Sequence, residues 1–538
     1  MSQRNRGGLI ILAIVCVLLL CAVEIIRNVV NQQEGDLKKS GYCSLKADES
    51  TEDPLAYIND DFSVKEGFHT NLPIVILTID GELSEYKRFV DSQEMVDEQA
   101  IPYTNGSIKI IDSDKEQKYL TDQVVYQSNL KIKKRGHTSF TYDKSQYLMK
   151  TEISDGISND ADILGMGQGN EWILNGSMAD KSMIRNYLPY RIASEIGGNE
   201  MAPDSRFCEV LIEKNGRYEY GGVYLLMETV SRGEDRIDIE SYNEKNGYTS
   251  YIIRRDRFTA FDVMLETYSR LNGYSPEWVG VKYPSEAKLT EASKNYIQED
   301  FSKTEQVIYS QNASVLRTYD RYIELDTYVD YFLINEYFGN YDAGEHSTYM
   351  FKDTGGKLHV GPVWDFDQAM NNYFMDEMDP DTLAFQTKPI FTQLAKDKKF
   401  IDALKKRYAQ LRKGVLSKEH VFEVMDEAVN YLKSARVREW TRWKADYEDG
   451  SFTNMHNYYL QDYEKDNATI SRFNDNYDQE LYNIRTYLHK HGTAISIEIP
   501  KLYDLADCDT SLKSENELLF LIVMILFLVP SIIINRQK

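Results

Sequence analysis

The chain has 538 residues, 42% of them hydrophobic, which is enough for one large or two ordinary domains with a substantial core and excludes a wholly disordered protein. Its 85 acidic residues outnumber its 62 basic ones, for a formal charge of −23. That balance argues against a general nucleic-acid binder and against a polybasic membrane-surface protein.

Residues 1–8 carry Arg4 and Arg6, and an apolar stretch covers 9–30, weakening at Glu24. It reads as a marginal transmembrane helix or signal anchor, or as a cleaved signal peptide. A second apolar segment, 518–534, is free of charge and is followed by Arg536 and Lys538 at 535–538. The positive-inside rule then puts both termini in the cytoplasm and the main domain outside it. Cys43 and Cys508 stand just beyond the two segments, where they either pair or remain free thiols. Residues 31–68 are polar and acidic with weak periodicity and read as a tether; 501–517 read as a linker.

The folded part is expected over 69–500. Residues 73–79 form a continuous β run, and 107–111, 130–135 and 146–153 are further strand-like stretches. Residues 180–196 show helical spacing, with Asp180 as a candidate cap and Gly197-Gly198 as a stop. A hairpin follows, 207–212 and 221–227, around Asn215-Gly216. From 285 onward the pattern is mostly helical, with expected helices over 289–311 and 326–338 and several between 390 and about 491. The exception is a predicted hairpin, with strands at 347–352 and 358–360 joined by Thr354-Gly355-Gly356-Lys357.

This hairpin has an acidic turn at either side, Asn340-Tyr341-Asp342 before it and Trp364-Asp365-Phe366-Asp367 after it. Its open end brings Asp342 near Asp365, a phosphoryl-transfer layout in which one aspartate accepts a hydroxyl proton and the other holds a metal. Strand alternation predicts that Asp365 and Asp367 share a side, where their repulsion calls for a cation such as Mg2+. Lys150 ends a β run beyond the turn Arg135-Gly136-His137, where a lysine and close backbone amides suit a polyphosphate. Paired acids would also suit glycoside hydrolysis, but that leaves Lys150 and Arg135-Gly136 without a role.

Taken together the motifs resemble the CotH kinase family, spore coat protein H and its relatives. They include Arg135-Gly136-His137, Tyr147 with Lys150, Asp180 to Asn186, Tyr220-Gly221-Gly222, Arg236-Ile237-Asp238, Asn340-Tyr341-Asp342 and the run from Gly361 to Asn371, spanning about 70–440. The resemblance implies an α+β, bilobal, atypical protein-kinase-like fold, with a β-rich N-lobe over about 69–255 and a mainly helical C-lobe over about 256–500. It implies ATP and Mg2+ as cofactors and a protein substrate rich in Ser or Thr. Asp342 would be the base, Asp365 the metal ligand supported by Asp367, and Lys150 a phosphate contact. Arg135, Gly136, His137 and Glu228 would lie near the nucleotide, and Glu195 is a candidate partner for Lys150. Two features depart from the pattern: Ser347 stands where a kinase carries a metal-binding asparagine, leaving Asn340, Asn371 or Asn372 as substitutes, and membrane segments are not implied by the spore-coat relationship. The alternative is a surface protein that keeps the fold for binding or adhesion.

Overall fold

In this computed structural model the described residues are 42, 44–83, 101–136, 143–176, 178–257, 263–372, 378–449 and 476–508. All lie in one compact unit, Gly41–Lys538. The expected apolar segments 9–30 and 518–534, Cys43 and His137 fall outside them; among the described residues no helix is long and apolar enough to cross a membrane.

Seven longer strands build the main sheet of the first half: β1 (Ile74–Ile79), β2 (Thr104–Ile111), β3 (Val124–Arg135), β4 (Gln146–Ser154), β5 (Glu171–Asn175), β6 (Ser205–Lys214) and β7 (Arg217–Glu228). Their pairing order is β5-β7-β6-β1-β2-β3-β4, and β4 also pairs with β5, so the sheet closes into a barrel. Alternation does the sorting. Leu77, Ile110, Ile132, Met149, Trp172 and Leu226 point inward to one buried cluster. Outward residues such as Ile173, Leu225 and Met227 join the main core, while Ile74, Ile76 and Leu211 join a third cluster on the barrel's outside. The β6–β7 turn uses Asn215 and Gly216, both at positive φ (53° and 76°), as a two-residue hairpin requires.

Between β5 and β6 lies α1 (Tyr187–Gly197). It begins later than the periodicity suggests, because Asp180 caps a turn instead of a helix: its carboxylate takes the amides of Ser182 (3.0 Å) and Arg185 (2.8 Å) and the Arg185 guanidinium (2.8 Å). Pro189 accordingly falls in the first helical turn, the one place a helix tolerates it.

The second half contains a five-stranded sheet, β8 (Tyr251–Asp256), β9 (Val263–Leu265), β10 (Trp278–Tyr283), β11 (Thr348–Lys352) and β12 (Leu358–Val360), in the order β9-β10-β8-β11-β12. The same half carries α2 (Glu291–Ile308), α3 (Leu325–Phe338), which packs on β12, α4 (Lys398–Leu411), α5 (Lys418–Tyr431), α6 (Lys433–Arg442), which packs on β7 of the barrel, and α7 (Tyr477–Glu498). Since β8 pairs with β11, Tyr251 onward belongs with the helical half. Two boundaries also shift. Residues 44–68, read as tether, pack on the barrel through Ile58 and Phe68, and the chain after 498 continues as short helices to Cys508, with Leu502 buried, inside the expected linker.

Candidate active site

The acidic turns meet at the open end of the β11–β12 hairpin, whose register pairs Met350 with Val360 and Lys352 with Leu358. α3 ends at Gly339 in the left-handed region (φ 61°), and Asn340 then ties the turns together. Its Nδ2 donates to the Asn335 side chain (3.1 Å) and to the Trp364 carbonyl (3.0 Å). On the second turn the Asp365 amide donates to the Tyr190 hydroxyl (3.1 Å) and the Phe366 amide to Asn186 Oδ1 (2.7 Å). α1 and its N-cap Asn186 thus hold the backbone of the metal-type motif.

Asp342 and Asp365 are half-buried. Burial pushes the Asp365 carboxyl up to about 6, with the Asp342 charge adding to the rise, while Arg135 and a hydrogen bond from Ser347 Oγ (3.2 Å) oppose it. Burial also raises Asp342, against the pull of Arg257 and Lys388. Two carboxylates without a full counter-charge are a site that favours a cation.

Arg135 acts on Asp365. Its Nη1 donates to Gln146 (3.2 Å), and its charge reaches Asp365, Tyr190 and Tyr349. Gly136 follows with φ 107°, a conformation only glycine takes without strain. Lys150 lies on the same outer barrel face, because directly opposed residues share a face and the register sets Arg135 against Gln146 and Lys131 against Lys150. Its ammonium is 2.6 Å from Glu171 and 5.5 Å from the Tyr103 ring centroid. Glu195 does not pair with it. That carboxylate is bonded to Arg191 on its own helix and to His420 (2.8 Å).

The CotH kinase protein family model matches residues 132–493. The chain belongs to the CotH kinase protein family. No curated protein matches the sequence. The matched span of this CotH protein runs from within β3 to within α7 and includes both acidic turns, Arg135 and Lys150.

Other expected site residues of the CotH domain separate from this group. Glu228 is set opposite Trp172, on the inward face of the barrel, whereas Lys150 and Glu171 are outward. It accepts the Asp204 amide (2.8 Å) and lies 3.6 Å from Arg236; burial, only partly offset by Arg236, pushes its carboxyl up to about 8. Asp367 is near the Tyr190 hydroxyl, as Asp365 is, but not through strand alternation. The strand ends at Val360 and Asp365 adopts φ 63°, which breaks the two-residue period. The substitute asparagines are engaged elsewhere: Asn340 as above, Asn371 Oδ1 by the Met378 amide (2.8 Å), and Asn372 Nδ2 by the carbonyls of Ala179 (2.8 Å) and Asp367 (2.7 Å). Ser347 itself reaches the acid. Arg185 has a packing role, donating to Asp180, Glu480 and the Ala369 carbonyl.

Three participants have no local sequence signal: Tyr190, whose hydroxyl accepts the Asp365 amide, and Asp256 and Arg257, at and just beyond the end of β8, which act on Asp342. Only the β8–β11 pairing brings the last two to the site. Among the described residues no three His, Cys, Asp or Glu side chains cluster as a metal cage.

Proposed function

We propose that this CotH domain is a Mg-dependent protein kinase that transfers the γ-phosphoryl group of ATP to a Ser or Thr hydroxyl of an exported or cell-surface protein. The observation that carries the reading is the meeting of Asp342 and Asp365 at the open end of the hairpin, with the charge of Arg135 acting on Asp365. The pair fits Mg2+ by donor chemistry. Magnesium takes one or two carboxylates and leaves its remaining positions to phosphate oxygens and water, and burial with mutual repulsion disfavours the ionised pair until a cation arrives.

Asp365 would hold the metal with support from Asp367, and Ser347 orients Asp365 through its hydrogen bond. When bound, Mg2+ neutralises charge on the β- and γ-phosphates. Arg135 and Lys150 bind the polyphosphate from the barrel face, and the glycine at 136 lets backbone approach it. Asp342 accepts the acceptor's hydroxyl proton while that oxygen bonds to the γ-phosphorus; the bond from phosphorus to the bridging oxygen breaks and ADP leaves with the electron pair. A carboxyl raised by burial is better matched to this proton than an exposed one.

The apolar segments 9–30 and 518–534, with basic residues on their terminal sides, supply the membrane anchoring in this reading and place the domain outside the cytoplasm. The test is transfer from labelled ATP to a serine-rich peptide in the presence of Mg2+. Asp365→Ala is expected to lower it at least about 100-fold, the scale of losing a principal electrostatic stabiliser. Unchanged labelling in that variant overturns the assignment.

A further inference from the structure

We propose that Glu171 is the positioning residue for Lys150, and that the pair is built into the closing seam of the barrel instead of being supplied by a helix. The inference rests on the kinase reading for its functional meaning, but its geometry stands apart from that reading.

Glu171 and Lys150 are directly opposed in the β4–β5 pairing, and their side chains meet at 2.6 Å. On either side the seam is locked by apolar pairs: Met149 opposes Trp172 on the inward face, and Leu148 opposes Ile173 on the outward face. A one-residue slip would turn Met149 and Trp172 out of the barrel, so the register that joins lysine to glutamate is fixed by the core. The two side chains keep 40% and 33% exposure, and an ion pair that open adds little to stability. What the contact does is hold one ammonium in one place, with Tyr103 beside it. Lys282 and Arg236 also act on Glu171 with the same sign of charge as Lys150, although Arg236 is shared with Glu228.

In protein kinases the phosphate-binding lysine takes its glutamate from a helix, and movement of that helix makes and breaks the pair. Here the helix between the strands, α1, commits Glu195 to Arg191 and His420. The lysine's partner comes from a strand that cannot swing without opening the barrel. The pair therefore forms when the domain folds and is not a switch.

The experiment compares Glu171→Gln, Glu171→Asp, Lys150→Ala and the double variant Lys150→Ala/Glu171→Gln in the full chain. Glu171→Gln is expected to keep the parental melting temperature and to lower kcat between about tenfold and a hundredfold, the scale of a misplaced contact. Glu171→Asp should recover part of the loss. Adding Glu171→Gln to Lys150→Ala should cost nothing more, since a positioning residue acts only through its partner. A parallel measurement needs no turnover: acylation of Lys150 by an amine-reactive reagent, followed by mass spectrometry, should rise several-fold in Glu171→Gln. Unchanged acylation, or losses that multiply in the double variant, overturn the proposal. A parental protein that transfers no phosphate, with acylation rising as expected, defeats the kinase reading and leaves the positioning contact intact.

Discussion

Ser347 and Asp365 are joined by a hydrogen bond of 3.2 Å, and both take positive φ, 48° and 63°. Such conformations cost of order 1–3 kcal/mol each for ordinary residues and persist where the surroundings enforce them. Here the enforcement is visible: the Asp365 amide is tied to Tyr190 in α1 and the next amide to Asn186, the residue just before α1. Ser347 thus serves the acid from the position where a kinase asparagine was expected, by donating to it. Ser347→Ala removes that donor, and hydrogen bonds to charged groups are worth about 1.5–3 kcal/mol, so phosphoryl transfer should fall roughly 10- to 100-fold with the far-UV spectrum unchanged. Ser347→Gly relieves the backbone strain yet loses the same donor. If the hydrogen bond is what matters the two variants fall together, and a Gly variant with parental rates would reduce Ser347 to a turn residue. At this scale the sequence disclosed the acids by type and spacing. It concealed the geometry between them, because a single left-handed residue at 365 cancels the alternation that would have aligned Asp365 with Asp367.

Helices α3 and α7 are joined by one charged pair deep in the helical half. His491 presents Nδ1 to the Pro380 carbonyl (2.9 Å) and Nε2 to the carbonyl and carboxylate of Glu336 (2.8 and 3.0 Å). Both nitrogens face acceptors, so the ring is held as the imidazolium. Burial alone would lower its pKa, but the Glu336 carboxylate outweighs that and raises it. A group raised on folding stabilises fully below its unfolded value of about 6.5, and the contribution disappears as pH climbs through the folded value. His491→Gln should therefore cost about 3 kcal/mol near pH 6, the low end for breaking a buried pair, because Glu336 still accepts the amides of Ala384 and Phe385. Urea unfolding at pH 6 and pH 9 checks this: the parent's advantage should shrink at the higher pH, and a constant difference would show the ring to be neutral. Elements of this kind were legible where period and apolarity agree, as in β1, the β6–β7 hairpin and α3. The barrel was not, since the β4–β5 pairing that closes it is a tertiary choice with no mark in either strand alone.

On the scale of the whole described unit, barrel and helical half are bound by buried charge as well as by apolar packing. From α6, Arg438 grips Glu209 on β6 (2.7 and 2.8 Å) and Thr70 (3.1 Å), and Glu439 takes Lys144 (2.6 Å) and the Val223 amide (2.7 Å). Residues 44–68 add a third tie. The Asp48 amide donates to the Asn430 carbonyl and its carboxylate accepts the Ser434 amide (each 3.1 Å), at the junction of α5 and α6. Farther on, the Val64 amide meets the Tyr218 carbonyl (2.8 Å) and the Tyr220 amide meets the Phe62 carbonyl (2.9 Å), while Ile58 and Phe68 close over Ile74, Ile76 and Leu211. The segment looked like a tether because its apolar residues follow neither a helical nor a strand period; they are placed by the barrel surface they cover. A chain beginning at His69 would uncover that surface. Losing Ile58 and Phe68 alone removes two buried side chains worth about 1.5–3 kcal/mol each, a large share of a net stability of about 5–15 kcal/mol. Relative to a chain beginning at Tyr42, it should melt at a clearly lower temperature and bind a hydrophobic dye through the exposed outer faces of β1 and β6. Equal melting temperatures for the two chains would return residues 44–68 to the role of a tether resting on an already complete domain.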